Sequence, residues 1–489
     1  MRVFSAVIPF TEIQTTSELA RQLNESDQVE EIFIYSPLPS GIKLPNCKDL
    51  ILDSIQSSVS LRTIAGILRT EYLLLSIRET GISFSPSSLG RFLTVVSASD
   101  AGIIYSDFYE RKSGKILVHP TCDYQLGSIR DEFDFGSVMI THSEIFKDAV
   151  MSSGKSYQFA GLYDMRLRIS QTKKIQRIPE PLYNIEEIDF RKSGEKQFDY
   201  VNPKNRNVQL EMESAATDHL KQINSFVKPP FNEIDLTSEK FETEASVIIP
   251  VKNRIKTIGD AVSSALKQRT DFKFNIIVVD NHSDDGTAEL LKKLSTQNEK
   301  IIHLIPGRED LLIGGCWSEA VNNPLCGRFS VQLDSDDVYK DESTLQTIID
   351  TFKKEKCAMV IGSYTLTDFD LNEIPPGLID HREWSADNGP NNALRINGLG
   401  APRAFYTPLL RKISIPNVSY GEDYFLGITI SRNYKIGRVY NSIYYCRRWE
   451  GNTDAELDIG KLNAHNTFKD GLRTNEILAR QKMNLADKT

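Results

Sequence analysis

The sequence predicts an α/β protein of two tandem domains joined by a helical linker, and three observations support this. At 489 residues the chain exceeds one ordinary core, since domains average roughly 150 residues. Strand-length apolar runs alternate with helical periodicity through the second half, the pattern of a parallel sheet covered by helices on both faces. A weak internal repeat links the halves: SAVIPF (5–10) is echoed by SVIIPV (246–251), EYLLLSIRET (71–80) by RFSVQLDSDD (328–337), and GLYDMRLRIS (161–170) by GEDYFLGITIS (421–431).

Taken in order, residues 1–200 form the first domain. NRNVQLEMESAATDHLKQINSFV (205–227) has apolar residues at helical spacing and no internal Gly or Pro, so it reads as a helix. KPPFNEIDLTSEKFETE, polar and broken by proline, completes a connector spanning 201–240. The second domain, 241–455, alternates strand ASVIIPV, a helix at 256–268, strand FNIIVVD, helix TAELLKKLSTQ, strand KIIHLI, a helix at 316–323 and strand FSVQLD. The polar tail, 456–489, reads as a helix packed on the second domain. Ligands of such sheets bind at the carboxyl ends of the strands.

Composition narrows the function classes. The chain is 40% hydrophobic and 25% charged, with no apolar run of the roughly 18 residues that a membrane span requires. MRVFSAVIPF holds one basic residue and too short an apolar stretch for a secretory signal, so the expected location is cytoplasmic, with room for peripheral association with an inner membrane. A net charge of -8 argues against nucleic-acid binding. Six scattered cysteines lack a C-x-x-C and are expected reduced, and seven histidines show no H-E-x-x-H spacing. A homo-oligomer is compatible with all of this.

Three acidic stretches fall at strand or loop ends. In FNIIVVDNHSDDGT (274–287), Asp280 follows an apolar run and could meet a ligand edge, or Asp280, Ser283 and Asp284 could simply cap and turn the chain. In VQLDSDDVYK (331–340), Asp334, Asp336 and Asp337 crowd a strand end. A calcium loop is rejected, because the positions that would need Gly and Glu are Tyr339 and Leu345. A divalent ion held by one or two carboxylates plus ligand phosphates remains, against a solvated acidic turn. In SYGEDYF (419–425), Glu422 and Asp423 begin a helical segment, as caps or as a general base.

In this order the motifs make residues 240–455 resemble the family 2 glycosyltransferases of the GT-A fold. These open with an IIPVKNR-like strand and continue through a VVDNHSDDGT nucleotide loop, a D-x-D and a late E-D. The resemblance implies two tandem GT-A (Rossmann-like) domains, a nucleotide-diphosphate sugar donor, a Mn²⁺ or Mg²⁺ cofactor, and a glycan or lipid-linked acceptor. It places Pro250, Arg254 and Asp280 around the nucleotide, Asp334 and Asp336 at the metal with Asp336 the direct ligand, and Asp423 as the base beside Glu422. Trp317, Asn322 and Asn323 occupy a segment that crosses near the donor. In YYCRRWEGNTD (444–454), Arg447 and Arg448 could contact diphosphate and Trp449 a sugar ring, the alternative being a surface pair beside a core tryptophan. Trp384, Arg395 and Arg403 are acceptor candidates, and His381 or His465 a third metal ligand. The implied reaction is inverting sugar transfer in bacterial glycan or polysaccharide synthesis.

The first copy reads Ile77, Arg78 and Glu79 at the D-x-D and keeps at most Asp164 of the E-D, so a non-catalytic role is expected for it. Two other readings compete: a nucleotidyltransferase, disfavoured because SAVIPFTEIQTT lacks a glycine-rich basic loop, and a sugar-nucleotide-binding scaffold without catalysis.

Overall fold

The structure is a computed structural model describing residues 2–112, 114–186, 206–237, 239–382, 384–452 and 457–486. The chain divides into two compact units. The first comprises residues 1–194, 206–226 and 458–489, and the second 195–205 and 227–457. The expected breaks at 200/201 and 455/456 lie outside the described residues.

The first unit contains strands β1 (Phe4–Pro9), β2 (Val29–Ser36), β3 (Cys47–Ile51), β4 (Tyr72–Ser76), β5 (Ile82–Phe84), β6 (Ala101–Lys112), β7 (Lys115–His119), β8 (Val138–His142) and β9 (Lys174–Glu186). Its sheet order is β3-β2-β1-β4-β8-β6-β9-β5, with β7 beside β6. The second unit contains β10 (Ala245–Val251), β11 (Phe274–Asp280), β12 (Ile301–Leu304), β13 (Phe329–Gln332), β14 (Val338–Tyr339), β15 (Met359–Thr367), β16 (Glu373–Ile379), β17 (Arg403–Tyr406) and β18 (Ile436–Arg447). Its order is β12-β11-β10-β13-β17-β15-β18-β14, with β16 beside β15. Adding nine to each strand number of the first sheet gives the second. The senses agree as well: the β1, β2, β4 and β10, β11, β13 pairings are parallel, whereas β8 and β17 run antiparallel to their neighbours. The expected α/β class is observed twice.

The central parallel strands β1, β4 and β10 are continuous apolar runs because both faces are covered. In β10 every residue but Pro250 is buried. The helix Ile258–Leu266 turns Ile258, Ala261, Val262 and Ala265 inward at i, i+3, i+4 and i+7. In the first unit the two sheet faces carry separate apolar clusters, one around Phe4, Ile8, Phe92 and Tyr183, the other around Val7, Leu61, Tyr105 and Phe146.

Two expectations are corrected. The helix expected at 316–323 spans Ile313–Asn322 and starts through Gly314 and Gly315. Glycine is a poor helix former, but a Cβ on Gly314 would lie 1.9 Å from the Pro416 carbonyl oxygen, so the close approach requires it. The helix expected on the second domain, Ile459–Ala486, belongs to the first unit. There Asp470 accepts from Ser128 at 2.9 Å and from Arg130 at 3.2 Å, and Thr474 Oγ1 accepts from the Gly127 amide at 2.9 Å. Buried pairs Arg473–Asp470 and Arg480–Glu476, both at 2.7 Å, replace an apolar stripe. The helix Arg206–Gln222 also groups with the first unit.

Candidate active site

Every feature of this site lies in the second unit, where the strands of the parallel half end. Two loops are laced together after β10 and β11. Asn253, at φ 54°, donates its amide to Ser283 Oγ at 2.9 Å and accepts the Asp284 amide at 2.9 Å. The Arg254 amide reaches Thr287 Oγ1 at 2.9 Å, and the Ile255 amide reaches Asp285 at 3.1 Å. Asp285, rather than Asp284, accepts the first amide of the helix Thr287–Gln297 at 3.0 Å. Asp280 is fully buried, with Oδ1 accepting the Ser283 amide at 3.0 Å and Oδ2 3.1 Å from His303 Nε2. Pro250 is half-buried in β10, and Arg254 half-exposed beside it.

The acidic cluster follows β13. Gln332 Nε2 donates to both oxygens of Asp334 at 2.9 Å, while its Oε1 accepts the Arg403 amide at 3.0 Å. The Asp334 amide donates to Tyr444 OH at 3.0 Å. Asp336 Oδ2 is met by Asn452 Nδ2 at 3.2 Å and Trp449 Nε1 at 3.4 Å. Asp337 is buried and accepts the Arg447 amide at 2.8 Å. Burial lifts the Asp334 carboxyl above the usual range, helped by Asp336 and Asp423 and opposed by Arg403 and Gln332. Burial, Asp336 and Asp334 lift Asp337 much further. The cluster therefore holds more negative charge than its surroundings neutralise.

Opposite it starts the helix Glu422–Ser431, entered through Gly421 at φ 91°. Asp423 Oδ1 accepts the Tyr424 amide at 2.6 Å, and Oδ2 lies 3.0 Å from Arg403 Nη1. Burial acts to lower the Arg403 pKa, but Asp423, Asp334 and Glu422 outweigh it and hold the guanidinium charged. Glu422 is buried, and its Oε2 has no hydrogen-bond partner among the described residues. Burial first, then the Asp423 charge, pushes its pKa to about 8.

Among the described residues no group of three or more His, Cys, Asp or Glu side chains could hold a metal ion. Asp334 and Asp336 offer two hard oxygen donors in an over-negative cluster, which suits Mg²⁺ or Mn²⁺ only if ligand phosphates and water complete the shell.

Other expected residues fall elsewhere. Arg447 is buried, with Nη1 on Asp260 at 2.9 Å, Nε on the Asp336 carbonyl and its guanidinium over the Phe369 ring at 5.1 Å, so it braces the acidic loop from behind. The Arg448 side chain is half-exposed and its amide donates to the Thr367 carbonyl at 2.7 Å. Trp449 packs edge-on against Phe369 at 5.6 Å, with its indole N–H toward Asp336. Trp384 and Arg395 are core side chains, each 1% exposed, and Trp384 presents no face for an acceptor. His381 is buried too. His465 lies on the helix Ile459–Ala486 and belongs to the first unit, so it is not among the second unit's own residues. Trp317 packs edge-on against Phe405 at 5.9 Å. Asn322 and Asn323 finish their helix, where Asn323 accepts the Leu325 amide at 2.9 Å. Sequence reasoning missed Gln332, His303, Tyr444 and Asn452. Only Gln332 had a signal, since two residues before Asp334 it shares that side of the strand.

Sheet register gives the first unit's counterparts. Tyr72 pairs with Phe4 as Phe329 pairs with Ala245, so Ile77, Arg78 and Glu79 stand where Asp334, Ser335 and Asp336 stand. Through β8 and β17, Met139 matches Arg403. Through β9 and β18, Ile175 matches Ile436, and counting back across equal spacings puts Leu162, not Asp164, at the place of Asp423. Asp164 instead accepts from Arg168 Nε at 2.9 Å and Ser153 Oγ at 2.7 Å. Arg78 donates to Asp134 at 2.7 Å, and His119 lies 3.1 Å from the same carboxylate. Burial would raise the Asp134 pKa, but Arg78 and His119 hold it well below the usual carboxylate range. A fixed guanidinium thus occupies this end of the first sheet.

Residues 246–414 match the model of the family described as Glycosyl transferase family 2. No curated protein matches the chain. Among solved structures, residues 1–349 of Staphylococcus aureus TarS in complex with UDP-GlcNAc are 18% identical, with 48% of this chain and 72% of that one covered and a TM-score of 0.35. The mannosyltransferase PcManGT of Pyrobaculum calidifontis, in complex with GDP-Man and Mn²⁺, is 16% identical, with 57% and 85% covered and a TM-score of 0.33. GalNAc-T7 with UDP, GalNAc and Mn²⁺ is 13% identical, with 43% and 45% covered and a TM-score of 0.33.

Proposed function

We propose that the second unit, whose residues 246–414 match the glycosyl transferase family 2 model, moves a sugar from a nucleotide-diphosphate donor to an acceptor hydroxyl with inversion. The observation that carries the reading is the Asp334–Asp336 cluster at the end of the parallel strands, linked through Gln332 and Arg403 to Asp423 at a helix start.

Asp423 takes the proton of the acceptor hydroxyl, whose oxygen bonds to the anomeric carbon as the bond from that carbon to the diphosphate oxygen breaks on the opposite face. The electron pair leaves with the nucleoside diphosphate. Arg403, 3.0 Å from Asp423, orients that carboxylate before the acceptor arrives. Asp280, fully buried and held by His303 and the Ser283 amide, fixes the loop that would meet the base, with Pro250 and Arg254 beside it. Asp334 and Asp336 would hold a divalent ion, which supplies charge stabilisation to the departing diphosphate. The acceptor is a glycan or lipid-linked hydroxyl of polysaccharide synthesis, and the first unit, with Ile77, Met139 and Leu162 at three of the four corresponding positions and Glu79 at the fourth, contributes no chemistry.

Thermal-shift measurements of the purified protein with UDP, GDP, ADP, dTDP and CMP sugars, with and without Mn²⁺ or Mg²⁺, test this beside Asp336→Asn. A donor at a hundredfold excess over Kd stabilises by about 2.7 kcal/mol. One metal-dependent shift, absent in the variant, supports the reading. Equal shifts in the variant would point to a binding scaffold.

A further inference from the structure

We propose that the β6–β7 hairpin of the first unit docks the protein on an anionic lipid surface, independently of the transfer chemistry. Among the described residues β7 pairs only with β6, which leaves its other edge without a strand partner there. Its three central residues, Ile116, Leu117 and Val118, are 56%, 50% and 52% exposed, so neither face of the ribbon is covered. Soluble proteins usually protect such an edge with charge or proline. The corresponding edge of the second unit does so: β16 reads EIPPGLI, with Pro375 and Pro376 in succession.

The ribbon is two-sided by register. Tyr109 lies opposite Val118 and Arg111 opposite Ile116, which joins one aromatic and two aliphatic side chains into a stripe ending in a guanidinium. Lys112 lies opposite Lys115 at the tip, beside the turn at Gly114. Arg111 and Lys115 therefore bring two cations to the end of the ribbon in a chain of net charge -8. Among the described residues neither Arg111 nor Lys115 forms an ion pair, and Glu110, the ribbon's one acid, turns to His119 at 3.4 Å.

Exposed aliphatics beside clustered cations are the chemistry of an anionic membrane interface, where the apolar stripe enters the boundary of headgroups and acyl chains while the cations meet lipid phosphates. A second copy of this chain fits less well, because another β7 strand would bring a further lysine and histidine to the edge and no carboxylate.

Flotation of the full-length protein with vesicles tests the proposal. It should float with phosphatidylcholine vesicles containing phosphatidylglycerol, stay behind with phosphatidylcholine alone, and be released by salt. The combined variant Arg111→Ser, Lys115→Ser should partition roughly thirtyfold more weakly. Ile116→Ser with Val118→Ser should lose flotation without a change in melting temperature. Absence of flotation with anionic vesicles, or its retention by both variants, overturns the proposal. So does a dimer in sedimentation velocity that the Ile116→Ser, Val118→Ser variant dissolves, which would make the hairpin a self-interface. If either variant misfolds, release of the wild-type protein from anionic vesicles by salt still decides, since binding that salt leaves intact refutes the charge contribution.

Discussion

Arg403 Nη1 lies 3.0 Å from Asp423 Oδ2, while the Arg403 amide is held by Gln332, whose other end grips Asp334. One arginine thereby links Asp334 to Asp423, the carboxylates proposed as metal ligand and as base. The side chains are 15% and 27% exposed, so water screens the pair only in part.

Replacing Arg403 by methionine, the residue at the matching place in the first unit, leaves Asp423 and Asp334 without their internal counter-charge. Stability should fall by about 2 kcal/mol, below the roughly 3–5 kcal/mol of a wholly buried pair, and turnover should fall with it. Arg403→Lys should recover part of both. An arginine that only touched the acceptor would instead raise the acceptor KM and leave the urea midpoint unmoved.

Asp423→Asn removes the proposed proton acceptor and keeps the shape. Turnover should drop by about 10²–10⁴-fold, with the donor-induced thermal shift retained. Loss of donor binding together with turnover would show that this carboxylate serves the nucleotide sugar instead.

Asp164→Asn in the first unit should leave transfer unchanged and cost roughly 1–3 kcal/mol through its lost bonds to Arg168 and Ser153. Turnover abolished by this change, and surviving Asp336→Ala, would reassign the chemistry to the first copy.

Glu422 predicts a pH effect on stability. Its folded pKa of about 8 lies above the unfolded value near 4.3, so between the two the folded protein holds a proton that the unfolded chain releases. Stability should therefore decline as pH rises from about 5 to 8 and level off above. Glu422→Gln, which mimics the protonated acid, should flatten that slope and be the more stable protein at the alkaline end. Urea titrations of both proteins across the range read this directly, and parallel slopes would refute it.

Alternating apolar runs and the echo of SAVIPF in SVIIPV made the α/β class and its duplication legible, because both rest on local periodicity. The acidic positions could be found for the same reason, since each ends a strand or opens a helix. Arg447 could not be read this way. Next to Arg448 it looks like half of a surface pair, and only the approach of Asp260 and the Asp336 carbonyl makes it a buried brace. The helix Ile459–Ala486 was misplaced because hydrogen bonds and ion pairs from Asp470, Arg473 and Arg480 dock it, and charged residues at a helix face normally signal solvent. Asp164 misled by proximity in sequence, where only register through β9 shows that Leu162 holds the equivalent place.

Two sheets with one strand order give every position in one half an address in the other. Asp334, Asp336, Arg403 and Asp423 sit at the addresses of Ile77, Glu79, Met139 and Leu162. Beside its charged half, the protein thus carries a blank of the same design in all but Glu79: hydrocarbon stands at the other three addresses, and the Arg78 guanidinium stands where the second unit has Ser335. Restoring the charges address by address in that blank would measure, within one polypeptide, how many of them a divalent site requires and how much stability each one costs.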